Sequence, residues 1–418
     1  MSEEPTSLHA ETNAQEPMLS RLFSAFRYRN YRFYWIGQLF SVLALNMEHV
    51  ALAWLVVVLT DSPLMLGFTG LAFAVPRVGL VLVGGAIADR ADRRKIMVLT
   101  QSLLGTLYFA LGILVLLEHI AFWHVVGFAF LSGFLRAFDR PSRYALLPQM
   151  VPKEETANAV ALGSSVWQTC RLVGPALAGL MIYLLGVGQT FVACSVSSVV
   201  AVALWYCIRT APVVRRGDGG MLKNIMAGLD FVRHNEVFYT LLGLTCFNSI
   251  FGMSYVILLP IFARNILLVG PRGFGLLQSS SGVGALLGTL AVAYLAQAGR
   301  RGWQTLIGSA VFGLLLICFG FSTSYALSLA LIFFLGLFNQ LYLTSINTML
   351  QLRLPDDLRG RVLGLFGLTW DLMPLGGALA GALAEFAGAP ISIAFGGLMV
   401  AMLAFYAMAR VPTMRELE

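Results

Sequence analysis

Charged side chains inside long apolar runs are the residues of this chain best placed to do chemistry. Glu48, Arg77, Arg171 and Asp371 each stand within such a run. An ion at that depth costs about 2.5–3.5 kcal/mol on insertion scales unless it is paired or wetted, and such residues mark ion and substrate pathways. Glu48 shares one helical face with Gln38, Ser41 and His49. Their spacing of i, i+3, i+10 and i+11 falls within about 100° of arc. A carboxylate on a polar stripe can take up and release a proton as its surroundings dry and wet, so Glu48 is the candidate coupling group. The other reading is a permanently ionised Glu48 paired with Arg77, which lies at similar depth. Arg77 has a second possible partner in Asp371, and the sequence does not choose between them. Arg171, one turn before Gly174 and Pro175, suits either an anionic substrate group or a carbonyl freed by the proline.

Further polar groups interrupt apolar stretches. Arg136, Asp139, Arg140 and Arg143 recur at i, i+3, i+4 and i+7, making one charged helix face. Thr245, Asn248 and Ser249 share a face, as do Asn339, Gln340, Thr344 and Asn347. Such groups either line a cavity or join helices. The chain has no Walker loop, no H-E-x-x-H and no G-x-S-x-G, so no cofactor, resident metal or enzymatic reaction is expected. Its five cysteines fall in apolar runs without a C-x-x-C pair, which argues against a disulfide framework or metal site.

The elements that must hold these residues follow from composition. The 418 residues are 58% hydrophobic and only 12% charged, with a mean hydropathy of +0.78. Soluble domains carry about 25% charge. Disorder, collagen and nucleic-acid binding are excluded, and the bilayer is the natural solvent. The first 26 residues lack an apolar core, so no cleavable signal peptide is expected.

A helix needs about 20 apolar residues to cross a bilayer. Twelve runs qualify: 33–59, 64–88, 96–117, 123–147, 157–184, 189–208, 237–262, 274–296, 304–321, 326–350, 362–386 and 390–410. The fold class is therefore all-α membrane protein. With the N-terminus inside, 24 of the 28 Lys and Arg residues fall in cytoplasmic segments, as the positive-inside rule requires. Both termini are expected in the cytoplasm, with the protein in the inner or plasma membrane.

The longest internal polar stretch, 209–236, separates two six-helix halves, 33–208 and 237–410. Residues 1–32 form a cytoplasmic N-terminal segment and 411–418 a cytoplasmic tail. The halves repeat each other. Ala176-Leu177-Ala178-Gly179 aligns with Ala378-Leu379-Ala380-Gly381, and Pro152 aligns with Pro355. Two repeated bundles suggest a transporter alternating access around a central site.

The loop after the second run, "GGAIADRADRRK", resembles the signature G-x-x-x-D-R-x-G-R-R of the major facilitator superfamily. Gly85, Asp89, Arg90, Arg93 and Arg94 match it, and Asp92 stands where the signature has Gly. The phrases "RNYRFYWIGQLFS", "ALAWLVVVLTDSPLMLGF" and "LPDDLRGRVLGLF" are similar to the drug:proton antiporter branch with macrolide efflux pumps and enterobactin-type siderophore exporters. Gly174, Pro175 and Gly179 resemble an antiporter-associated motif, with Cys170 and Ala178 at positions where it carries Gly.

The resemblance implies the major facilitator fold, with spans one, four, seven and ten facing a central cavity. It implies that Gln38, Ser41, His49, Arg136, Asn248, Asn339 and Gln340 line that cavity. It also implies that Asp89 latches onto the start of span eleven, whose partial positive charge favours an anion, with Arg90, Arg93 and Arg94 adding pairs. The expected activity is proton-driven efflux of an amphipathic small molecule, a drug or siderophore. Alternatives are a proton symporter, a lysophospholipid flippase, and a membrane sensor or scaffold that does not transport. The expected partners are the small-molecule substrate, protons and the lipid bilayer. Oligomeric state is not legible.

Overall fold

In the structure, a computed structural model, residues 23–90, 92–209, 229–295 and 301–415 are described. Twelve helical rods follow one another. They are α1 (Arg29–Thr60), α2 (Pro63–Arg90), α3 (Arg93–Leu116), α4 (Phe122–Leu146), α5 (Thr156–Leu185) and α6 (Val187–Tyr206). Then come α7 (Glu236–Ile266), α8 (Gly270–Leu295), α9 (Arg301–Gly320), α10 (Tyr325–Arg353), α11 (Asp356–Ala387) and α12 (Ala389–Arg410). No strand occurs among the described residues. At 1.5 Å per residue the shortest of these rods is about 30 Å long, enough for a hydrocarbon core.

Local sequence explains the ends and breaks. Asp61 closes α1 in the left-handed region at φ 47°, and Asp92 caps α3 by accepting from the backbone N–H groups of Arg94 and Lys95. Two π segments, Asn248–Gly252 and Phe262–Ile266, interrupt α7. In α11 the 3-10 turn Trp370–Leu372 precedes Pro374, whose missing N–H breaks the regular ladder, and Asp371 sits in that turn. Eleven of the rods are apolar enough to cross a membrane by composition alone; α4 is not, because its second half carries the charged face at 136–143. The expected linker 209–236 lies mostly outside the described residues, and its end is already helical at 229–233.

Pairing repeats with an offset of six. In the first half α2 packs on α4, α3 on α4 and α6, and α1 on α5 and α6. In the second half α8 packs on α10, and α9 on α10 and α12, while α7 contacts α11 and α12. The halves meet where α2 lies along α11 and α5 along α8. The aligned glycines of the sequence repeat occupy equivalent places: Gly179 meets Pro271 and Gly275 at the start of α8, and Gly381 meets Pro63 at the start of α2. Only a residue without Cβ lets the backbones approach this closely.

The seam is tight at the end away from the termini. There Asn265 donates to Asp61 at 3.1 Å and Arg264 donates to the Val57 carbonyl at 2.5 Å. Glu385 accepts from the Ser62 hydroxyl at 2.7 Å. Toward the termini, a Cβ added at Gly79 of α2, or at Gly364 or Gly367 of α11, would meet nothing within 4 Å. At the far end these contacts hold the two bundles together.

Candidate functional site

Glu48 points into the core of the first bundle and is 1% exposed. Its carboxylate accepts a hydrogen bond from the Tyr108 hydroxyl of α3 at 2.6 Å, and it is paired with Arg136 of α4. Arg136 also donates to the Tyr108 oxygen at 2.7 Å. Helical side chains lean toward their own N-terminus, so Arg136 reaches from the charged end of α4 toward the bilayer centre. The alternative pairing of Glu48 with Arg77 is therefore not the one formed. Arg77 instead meets Asp371 at 3.1 Å, across the seam between α2 and α11, and lies over the Phe73 ring at 5.6 Å.

A second network sits two turns closer to the termini. Arg143 donates to Asp139 at 2.6 Å, to Ser41 at 2.7 Å and to Gln101 at 3.2 Å. Gln101 donates in turn to Ser198 at 2.9 Å, and the Arg143 guanidinium covers the Trp205 ring at 4.5 Å. Tyr108, Gln101 and Ser198 were not singled out from the sequence. Gln101 and Tyr108 are seven residues apart on α3, one helical face, and that spacing of polar tips within an apolar span was the available signal.

Between the bundles lies a cavity of about 460 Å³, within the range of small-molecule sites. Glu48, Arg77, Arg171 and Asp371 all border it, and Tyr255 and Trp370 supply aromatic wall. A second cavity of about 320 Å³ lies inside the first bundle, bordered by Ser41, Arg136, Arg140 and Trp167. His49, Phe73 and Arg77 border both. The His49 ring meets Phe73 edge-on at 6.2 Å, so these three side chains form a partition between the two spaces.

Four residues expected at the cavity are placed otherwise. Gln38 donates to the Gly163 carbonyl of α5 at 3.4 Å, and Asn339 donates to the Met253 sulfur at 2.9 Å. Gln340 bonds Thr344 one turn along its own helix, and Asn248 is buried at the first π segment of α7. None borders either cavity. Gln38 and Asn339 tie their helices to a neighbour, whereas Gln340 is bonded along its own helix.

Of the loop signature, the side chains of Gly85, Asp89 and Arg90 lie outside the described residues. Arg93 is half-buried. Arg94 does not reach across the seam. It donates to the Trp205 carbonyl at 3.1 Å and to the Tyr206 carbonyl, and stacks on Tyr206 at 5.2 Å, capping the C-terminal end of α6. In α5, Gly174 abuts Asn46 of α1, Gly179 abuts α8, and Pro175 borders the central cavity. These positions make α5 the spacer between α1 and α8.

Two pseudo-symmetric six-helix bundles around a charged central cavity define a transporter of the major facilitator superfamily, a multi-pass membrane protein and not an enzyme. Within that superfamily the chain belongs to the transmembrane secretion effector family, MFS_3, which matches it over residues 20–418. It is 26% identical to the staphyloferrin A transporter of Staphylococcus aureus, over 85% of this chain and 86% of that protein. It is 28% identical to the multidrug efflux pump Tap of Mycolicibacterium fortuitum, over 88% and 92%. The enterobactin exporter EntS of Escherichia coli is 23% identical, over 84% and 85%. Among solved structures, a bacterial homologue of the lysosomal transporter Spinster, inward-facing and occupied, superposes with a TM-score of 0.72 at 15% identity, covering 93% of this chain and 98% of that one. The nucleoside transporter NupG gives 0.70 at 14%, covering 91% and 98%. Those two likenesses carry the fold.

Proposed function

We propose that this protein exports an amphipathic small molecule, a drug or a siderophore, in exchange for protons. The observation that carries the reading is the pair of membrane-depth carboxylates, Glu48 and Asp371, that border one cavity while each is held by an arginine from another helix. Protonating either carboxylate releases its arginine, and the charge pattern of the cavity changes. That coupling of proton occupancy to helix contacts is what an exchanger requires. The enterobactin exporter and the multidrug efflux pump among its relatives support efflux as the direction. The basic residues at the termini side support placing both termini in the cytoplasm.

The halves are read as bundles 33–208 and 237–410, rocking about the α2–α11 and α5–α8 seams. Glu48 and Asp371 are assigned to proton coupling, Arg77 to the tie between halves, and the His49–Phe73–Arg77 partition to separating the two cavities. The test uses inverted membrane vesicles containing the protein, energised to acidify the lumen, with a radiolabelled macrolide and a carboxylate siderophore as probes. Accumulation that collapses with a protonophore, and is lost in Glu48→Gln at equal membrane levels, is expected. Accumulation indifferent to the pH gradient would refute proton drive.

A further inference from the structure

The charges around the central cavity do not cancel. Glu48 is matched by Arg136, and Asp371 is matched by Arg77. Arg171 of α5 remains. It borders the same cavity, and among the described residues it makes no ion pair and no hydrogen bond. The cavity therefore carries one surplus positive charge at membrane depth, where an unmatched ion is costly.

The surroundings of Arg171 are those of a docking point. Its neighbour Leu172 packs against Gly282 of α8, in the seam that joins the halves. The Tyr255 phenol of α7 lies within electrostatic reach and stands 3.5 Å from the Ser281 hydroxyl of α8. Gln278, one turn earlier on α8, borders the same space. A guanidinium fork with neutral hydroxyl and amide groups beside it is the donor set that binds a carboxylate. Apolar wall, including Ile332 and Trp370, accounts for other parts of the lining.

We propose that the cargo bears an acidic group of the carboxylate class, and that this group docks on Arg171 as its counter-ion while the apolar body fills the remaining cavity. This rests on the transport reading above and specifies its substrate. Tyr255 of α7 and Gln278 and Ser281 of α8 line the cavity together with Arg171 of α5, so a carboxylate bound there links the two bundles and biases their relative position.

The test measures binding to the full-length protein in phosphatidylcholine nanodiscs, with 1-pyrenebutyrate and its neutral amide as probes and tryptophan-to-pyrene energy transfer as the readout. Wild type is expected to bind the acid about tenfold or more tightly than the amide, the factor a charge-assisted hydrogen bond supplies. Arg171→Gln is expected to erase the preference while keeping amide binding, which also reports that it folds. Arg171→Lys should retain part of the preference, because the charge stays and the fork is lost. Arg140→Gln, at the other cavity, should leave it intact. Equal binding of acid and amide by wild type, absence of binding by both, or a preference that survives Arg171→Gln overturns the proposal. No pH gradient enters this measurement, so its failure leaves the proton-drive test standing, and the converse also holds.

Discussion

The Arg77–Asp371 pair joins the two bundles at mid-depth, and removing one member should change how the halves distribute between open and closed states. The ions are 3.1 Å apart with side chains 28% and 15% exposed. At an effective dielectric of about 20 their attraction is about 5 kcal/mol before desolvation is charged against it. Fully exposed pairs net about 0–1 kcal/mol, and breaking a buried one costs about 3–5 kcal/mol. A pair of this intermediate exposure should contribute about 1–2 kcal/mol to the state in which it forms. That corresponds to a shift of roughly 5- to 30-fold in the balance between states. The assay is a spin-label distance measurement at the far end, between Leu64→Cys and Phe386→Cys in a background without the five native cysteines. Both sites are exposed, and the helices that carry them touch there. Wild type should show mainly the short distance. Arg77→Gln and Asp371→Asn should each populate a longer one. The exchanged pair, Arg77→Asp with Asp371→Arg, should return toward wild type, because the attraction depends on opposite sign and not on which helix carries which charge. Identical distance distributions in wild type and both single variants would show that the pair does not hold the halves.

Other outcomes follow from the same geometry. Glu48→Ala leaves Arg136 buried and unmatched, so it should lower stability by about 3–5 kcal/mol in thermal unfolding, whereas Arg136→Gln combined with Glu48→Gln should cost less than either single alanine change. Gly179→Val puts a branched side chain where α5 meets the α8 backbone, and overpacking of that kind costs about 1–3 kcal/mol; a cross-link between α5 and α8 should form more slowly, with a normal rate counting against the seam as described. Glu385→Ala removes the acceptor of Ser62 and should raise labelling of Met65→Cys, one turn further along α2 and partly buried, several-fold; unchanged labelling would show that this contact does not close the far end. Arg94→Ala, which loses only the cap on α6, should cost about 1 kcal/mol of stability and leave proton dependence unaltered.

The architecture was legible because a bilayer imposes it. Apolar runs of sufficient length must become helices, since no water satisfies backbone groups in hydrocarbon, and that requirement is local to each run. Helix number and approximate limits, the two repeated halves and the family signature could all be read along the chain. So could the depth of Glu48, Arg77, Arg171 and Asp371. What only the tertiary structure decided is which of these charges meet. Depth along a helix is set by sequence position, but the rotation and approach of neighbouring helices are set by packing across the whole bundle. Arg136, expected to line the cavity, reaches inward to Glu48 and Tyr108. Arg77 turns across the seam to Asp371, because Pro374 places a tight turn there. Gln38, Asn248, Asn339 and Gln340 were expected at the cavity from the family resemblance, whereas their polarity alone is equally the mark of residues that hold helices together. The surplus charge of Arg171 appears only when the other ions around the central cavity have been assigned their partners, and that assignment exists only in three dimensions.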